Sequence, residues 1–343
     1  MEFNSIVMEG ADQVGKADTS HDLSQELLSQ GVPICTFSFP QYATPFGGAI
    51  RLFLKDGVDE IEELKNIKDS RREIEVRMMM YALDRLQALE SILRAPNTNN
   101  AILLLDRGPY SNALTIAYGL SAVKNISDMD VKEMVNLGFE KEQYLIQTLN
   151  LDKCVIQLVA NFGKEGWKSI RDGGEDQYEK MEVQERANEV YLEFSNLVRD
   201  GWRRVITKED GKWEHRGDRN GEILSFVEER YDLSKIRSSA TPKLQSIDVL
   251  DIAKDMYGLE ISQRKDVKDF YRALKENEKE AIYEKGLGIG EFVALECKEI
   301  HIKDSGVRNA MYNIINDYPE CLVLLERYYT KSFVQKLIKA IDE

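Results

Sequence analysis

Histidine and cysteine are scarce in this chain of 343 residues, at three and four copies. The histidines, His21, His215 and His301, are scattered, and Cys35, Cys154, Cys297 and Cys321 lie far apart. No zinc-ligand spacing can be drawn from them, and a reduced, cytoplasmic interior is the expectation. Positive charge is short as well: 46 Lys+Arg stand against 60 Asp+Glu, a net charge of −14. That balance argues against a nucleic-acid polymer or an anionic membrane as partner, since both call for clustered cations. No apolar run approaches the roughly 18 residues of a membrane helix. The N-terminus carries Glu2 and Glu9 and reads straight into a strand, so no signal peptide is expected. The length is enough for a substantial core and for two domains.

Over residues 1–235, short apolar runs alternate with helical periodicity. Strands are expected at Phe3–Met8, Pro33–Phe39, Ala101–Leu105, Lys153–Val159 and Arg204–Thr207. Helices are expected over Asp18–Gln30, Phe46–Leu54, Ser70–Leu93, Tyr110–Leu120, Val131–Leu149, Glu175–Val198 and Gly221–Glu229. This alternation predicts an α/β domain, a parallel sheet flanked by helices, with ligands at the carboxyl ends of the strands. Residues 236–246 are polar and carry a proline, which reads as a linker. Residues 247–343 look mainly helical and form a C-terminal domain without a catalytic constellation. Within it Gly286–Gly290 is glycine-rich but lacks a following Lys-Ser/Thr, so it reads as a turn.

The strongest local signal is Ile6–Lys16, IVMEGADQVGK. A strand, a glycine loop and a helix follow one another, the order of a P-loop phosphate cradle. Backbone N–H groups can wrap a phosphate only where side chains do not crowd them, hence Gly10 and Gly15. The helix beyond aims unpaired N–H groups at the anion. The cradle spans Gly10, Asp12, Gln13, Val14, Gly15 and Lys16, with Lys16 as a mobile cation, and Ala17 and Asp18 open the helix. Ala17 stands where a magnesium-binding Ser or Thr hydroxyl is usual, so the pattern is intact for phosphate and incomplete for metal.

Asp106 closes the run Ile102–Leu105. A carboxylate there, beside a phosphate loop, suits a magnesium shell, and it also suits a helix N-cap. Arg107 follows and can grip a phosphate at two points. Lys164, Lys168 and Arg171 lie in a glycine-bearing stretch; they read equally as cations closing over a phosphoryl group or as a solvated loop.

Taken together, these segments resemble thymidylate kinase, within the P-loop nucleoside monophosphate kinases, over about residues 3–233. IVMEGADQVGK resembles the family's phosphate loop, Ser38–Leu54 its Phe-Pro segment, and YALDRLQALE its acceptor helix. LLLDRGPYSNAL resembles its Asp-Arg-Tyr segment, and Glu175–Phe194 the closing of its lid. The resemblance implies ATP and Mg2+ as cofactors and dTMP as acceptor, giving dTDP. It places Asp12, Phe39, Tyr81, Arg85, Arg107 and Ser111 around the acceptor, with Tyr81 stacking on the base. It makes Lys16, Asp106, Arg107 and Arg171 catalytic, Asp106 the metal residue, and a homodimer the expected assembly. From the residues alone, Tyr81 is equally a core side chain and Arg85 an ion-pair partner. The chain departs from the family at Ala17, Tyr42, Gly108, Ile116 and Gln177. Two rival functions are a kinase for another acceptor, and a catalytically weak nucleotide-binding protein that uses its C-terminal helices for interaction.

Overall fold

The computed structural model describes residues 3–41, 44–55, 67, 69–94, 101–124, 126–161, 181–195, 200–209, 212–239, 300, 302–329 and 331–342. They belong to two compact units. The first comprises Met1–Phe39, Asp69–Met78 and Pro96–Ser246; the second comprises Pro40–Lys68, Met79–Ala95 and Ile247–Glu343.

The first unit is built on a mostly parallel, six-stranded sheet. Its strands are β1 (Asn4–Glu9), β2 (Ile34–Ser38), β3 (Ile102–Asp106), β4 (Val155–Ala160), β5 (Trp202–Glu209) and β6 (Lys212–Trp213), in the order β2-β3-β1-β4-β5-β6. β1 sits inside, pairing with β3 from Asn4↔Ile102 to Met8↔Asp106 and with β4 from Val7↔Val155 to Glu9↔Gln157. Strands covered on both faces must be apolar almost throughout, and Ile6, Val7, Met8, Leu104, Leu105, Ile156 and Leu158 are all buried. β5 instead alternates buried and exposed positions towards its end, as a strand with one wetter face does. The antiparallel β6, which the sequence reading did not anticipate, pairs Lys208↔Trp213 and Glu209↔Lys212, with the Lys208 ammonium 5.4 Å from the Trp213 ring centroid.

The flanking helices of this unit are α1 (Lys16–Ser29), the first part of α3 (Ser70–Arg94), α4 (Pro109–Ser111), α5 (Gly119–Lys124), α6 (Asp128–Thr148), α7 (Met181–Ser195), α8 (Arg216–Arg230) and α9 (Leu233–Ser239). The single helix expected over Tyr110–Leu120 is divided by a π-helical stretch at Asn112–Tyr118. There Asn112 donates through Nδ2 to Met78 O (3.1 Å) and Glu142 Oε1 (2.7 Å), bonds that tie the widened turn to its neighbours. α9 covers part of the stretch expected to be a linker. Asp232 opens it, accepting from Ser234 Oγ (2.6 Å) and Lys235 N (3.3 Å), a local cap that the polar composition concealed. Where β1 meets its two neighbours, successive connections run to opposite sides of the sheet. The carboxyl end of β1 is therefore a crevice position, and Gly10–Lys16 leaves from it.

Among the described residues, the second unit holds α2 (Pro45–Lys55), the remainder of α3 from Met79, and the C-terminal helices α10 (Ser305–Asp317), α11 (Glu320–Tyr328) and α12 (Lys331–Asp342). Its core includes Phe46, Ile50, Leu83, Leu86, Met311, Ile314, Leu325, Val334 and Leu337. The Gly286–Gly290 turn lies outside the described residues. Among those residues, no helix is long and apolar enough to cross a membrane.

Candidate phosphate-binding site

The chain leaves β1 through Gly10 at φ 145°, passes Gln13 at φ 63°, and reaches Gly15 at φ 88°. Glycine is required at the first of these. A Cβ on Gly10 would lie 2.4 Å from Leu158 O and 2.9 Å from Val14 Cγ2. Gly15 is the N-cap of α1 and supplies no side-chain cap, so the first-turn N–H groups stay available to an anion.

Lys16 starts the helix but folds back along the loop. It is 6% exposed, and its ammonium donates to Gly10 O at 2.9 Å and to Ala11 O. Burial lowers its pKa from 10.5 to about 8, against the opposing pull of Asp106 and Glu9. Its hydrogen bonds go to neutral carbonyls and its ion-pair neighbour Asp12 Oδ1 stands 4.0 Å away, so the buried cation is matched to an incoming phosphate.

Asp106, at the end of β3, accepts from Ser38 Oγ at 3.4 Å, while its Oδ1 is buried with no hydrogen-bond partner among the described residues. Burial pushes its carboxyl up from the ordinary value, so a cation would relieve both the missing partner and the desolvation. No group of three or more His, Cys, Asp or Glu among the described residues forms a metal cage. Magnesium does not need one, since it is commonly held by one or two carboxylates, substrate phosphates and water. Asp106 fits that mode; Ala17, exposed on α1, adds no oxygen. The hydroxyl oxygens of Thr19 and Ser20 are buried and without partners among the described residues.

Arg107 has a left-handed backbone, φ 71°, and its guanidinium pairs with Asp12. Asp12 is held from another side by Gln184 of α7. Its N–H donates to Gln184 Oε1 (2.7 Å), and its Oδ2 accepts from Gln184 Nε2 (3.0 Å). Beneath them lies Glu9, fully buried, which accepts from Gly108 N (2.9 Å), Ser111 Oγ (2.5 Å) and the Tyr191 hydroxyl (3.0 Å). Gly108 sits against β1: a Cβ there would be 2.5 Å from Val7 Cγ1. Trp213 and Arg219 flank the loop, their side chains 3.9 and 4.0 Å from where a Gly15 Cβ would stand. Arg219 is 8% exposed, and its Nε has no hydrogen-bond partner among the described residues.

The first unit thus brings together Gly10, Asp12, Gln13, Val14, Gly15, Lys16, Asp106, Arg107 and Ser111. Phe39 joins at the end of β2, its N–H donating to Asp106 O at 3.0 Å. Asp18 is exposed on α1. Tyr81 and Arg85 are buried on α3 in the second unit. Arg171, Lys164, Lys168, Tyr42 and Gln177 lie outside the described residues. Glu9, Gln184, Tyr191, Trp213 and Arg219 were missed by sequence reasoning. Glu9 carried a signal, a carboxylate at the end of an apolar strand. Gln184 and Tyr191, seven apart on α7, share a helical face.

No family model matches the chain, and no curated protein matches it. Among solved structures, thymidylate kinase from Ehrlichia chaffeensis is similar at 14% identity and a TM-score of 0.40. The match covers 66% of this chain and 98% of that one.

Proposed function

We propose that this chain transfers a phosphoryl group from ATP to a deoxynucleoside monophosphate, with dTMP as the preferred acceptor. The observation that carries the phosphoryl-transfer reading is the convergence of a glycine loop, the buried Lys16 and the half-satisfied Asp106 at the ends of β1 and β3. The choice of acceptor rests on the sequence resemblance.

The proposed roles are as follows. The N–H groups of Gly10–Lys16 cradle the donor's β- and γ-phosphates, and Lys16 leaves its carbonyl partners to neutralise them. Asp106 would hold magnesium, which would supply charge neutralisation at the donor phosphates. An oxygen of the acceptor monophosphate attacks the γ-phosphorus; the bond to the bridging oxygen breaks, and its electron pair stays on ADP. Arg107, fixed by Asp12, faces the charge spread over the transferred group. Gln184 and the Glu9–Ser111–Tyr191 bonds keep Asp12 and the start of α4 in place, which is positioning rather than covalent chemistry. Tyr81 and Arg85 take the base and phosphate of the acceptor, roles that come from the resemblance, as do the closing of Arg171 over the transfer and the pairing of two copies.

The test is ATP consumption with magnesium across dTMP, dUMP, the other monophosphates and thymidine. Turnover with dTMP alone supports the reading. Turnover with another acceptor overturns the substrate and keeps the chemistry. Lys16→Ala should abolish transfer, and a retained wild-type rate would sink the loop assignment. Ala17 favours a second reading, nucleotide binding without turnover; ATP binding with no consumption at saturating acceptor would support it.

A further inference from the structure

The second unit joins stretches that are far apart in sequence, and α3 is its hub. Glu90, fully buried on α3, accepts at one carboxylate oxygen from Lys303 N (2.8 Å) and Asp304 N (3.1 Å). Those amides open α10, whose own N-cap is Asp304, its Oδ1 accepting from Val307 N at 2.9 Å. A carboxylate at that end satisfies donors that the helix cannot and meets the positive end of its dipole. Six residues earlier on α3, buried Asp84 accepts from Gln41 N (2.8 Å) and Thr44 Oγ1 (2.5 Å), the turn that opens α2. Gly47 closes that turn. Its N–H donates to Thr44 Oγ1 at 2.9 Å, and a Cβ there would be 1.9 Å from Gln41 O. α11, with Cys321, Leu324 and Leu325 buried, packs on α2. Helices α10, α11 and α12 have 13, 9 and 12 residues, too short to persist alone in water. Tyr81, Asp84 and Arg85 lie on the same stretch of α3 to which all of this is fastened.

We propose that α10–α12 are a built-in brace for the acceptor-binding segments, holding α2 against α3, with Glu90 as the positioning residue that couples the brace to Tyr81 and Arg85. The proposal rests on the acceptor reading above. It makes the C-terminal helices part of substrate binding rather than a separate interaction module.

The test uses the full chain with Asp304→Ala, which perturbs only the C-terminal side, and with Glu90→Ala and Glu90→Gln. Hydrogen exchange is followed over 44–55, 79–94 and 302–329, with β1 and β3 as internal references. Loss of the Asp304 cap should speed exchange about fivefold in 304–310, and also in 44–55 and 79–94, leaving the two strands unchanged. The KM for the acceptor should rise by a similar factor, with the KM for ATP and kcat within about twofold. Glu90→Ala should act alike, and Glu90→Gln, which keeps an acceptor oxygen, should restore most of the loss. Faster exchange confined to 302–342 in Asp304→Ala would overturn the brace. That outcome is read without any turnover, so it stays distinct from failure of the kinase reading. Coupled exchange with an unchanged acceptor KM would overturn the link to substrate. Should Glu90→Ala fail to fold, Asp304→Ala carries the same decision.

Discussion

Lys16 is held at a pKa of about 8 instead of 10.5 because burial strips water from its ammonium. A phosphate bound in the cradle adds negative charge to that of Asp12, 4.0 Å away, so the bound state favours protonated Lys16. With a free-protein value of about 8, the protonated fraction falls from about 0.9 at pH 7 to about 0.1 at pH 9, and ATP affinity should drop about tenfold across that interval. The stability of the free protein moves the other way. The folded pKa lies below the unfolded one, so between about 8 and 10.5 the unfolded chain binds more protons and stability rises with pH. The limit of that rise is about 3 kcal/mol at roughly 1.36 kcal/mol per pH unit. Both trends should vanish in Lys16→Met. The assay is titration calorimetry of ATP at pH 7, 8 and 9 in two buffers of different ionisation enthalpy, which counts protons directly. Uptake should grow from near zero at pH 7 towards one proton at pH 9. Constant affinity and no uptake up to pH 9 would refute the assignment of buried Lys16 to the phosphate.

Gly10→Ala places a Cβ against Leu158 O in a backbone at φ 145°; nucleotide binding should be lost, with about 1–3 kcal/mol of stability, measured by denaturant unfolding. Tyr191→Phe removes a donor from buried Glu9 and should cost about 1–3 kcal/mol in the same assay, with the Kd for ATP little changed. Ala17→Ser restores a hydroxyl beside Lys16 and should lower the magnesium concentration needed for half-maximal turnover; no change would place the metal elsewhere. Cys154, whose thiol burial pushes up to about 12, should react with thiol reagents only under denaturing conditions, as read by mass spectrometry.

The strands, the glycine loop and most helices were legible because their signals are local. A buried parallel strand needs an unbroken apolar run, and Ile6–Met8, Ile102–Leu105 and Val155–Val159 provide it. Gly10, Gly15 and Lys16 stood out in the sequence because a phosphate loop would demand those residue types at that spacing. Asp106 and Arg107 could be placed from the strand that precedes them. Glu9, by contrast, read as one more strand-end residue. Its significance lies in donors from Gly108, Ser111 and Tyr191, about 100 and 180 positions away, which no window of sequence can associate. The same holds for Gln184 on Asp12 and for Trp213 and Arg219 beside Gly15. The C-terminal helices could be recognised as helices from their 3.6-residue periodicity. Their attachment to α3 through Glu90 could not, because a buried carboxylate on a long polar helix looks like a solvated one until its partners are known. Local periodicity and backbone requirements were therefore written in the sequence itself. The tertiary structure alone decided which distant donors meet each buried charge, since desolvation forces such partnerships without prescribing where along the chain the partner comes from.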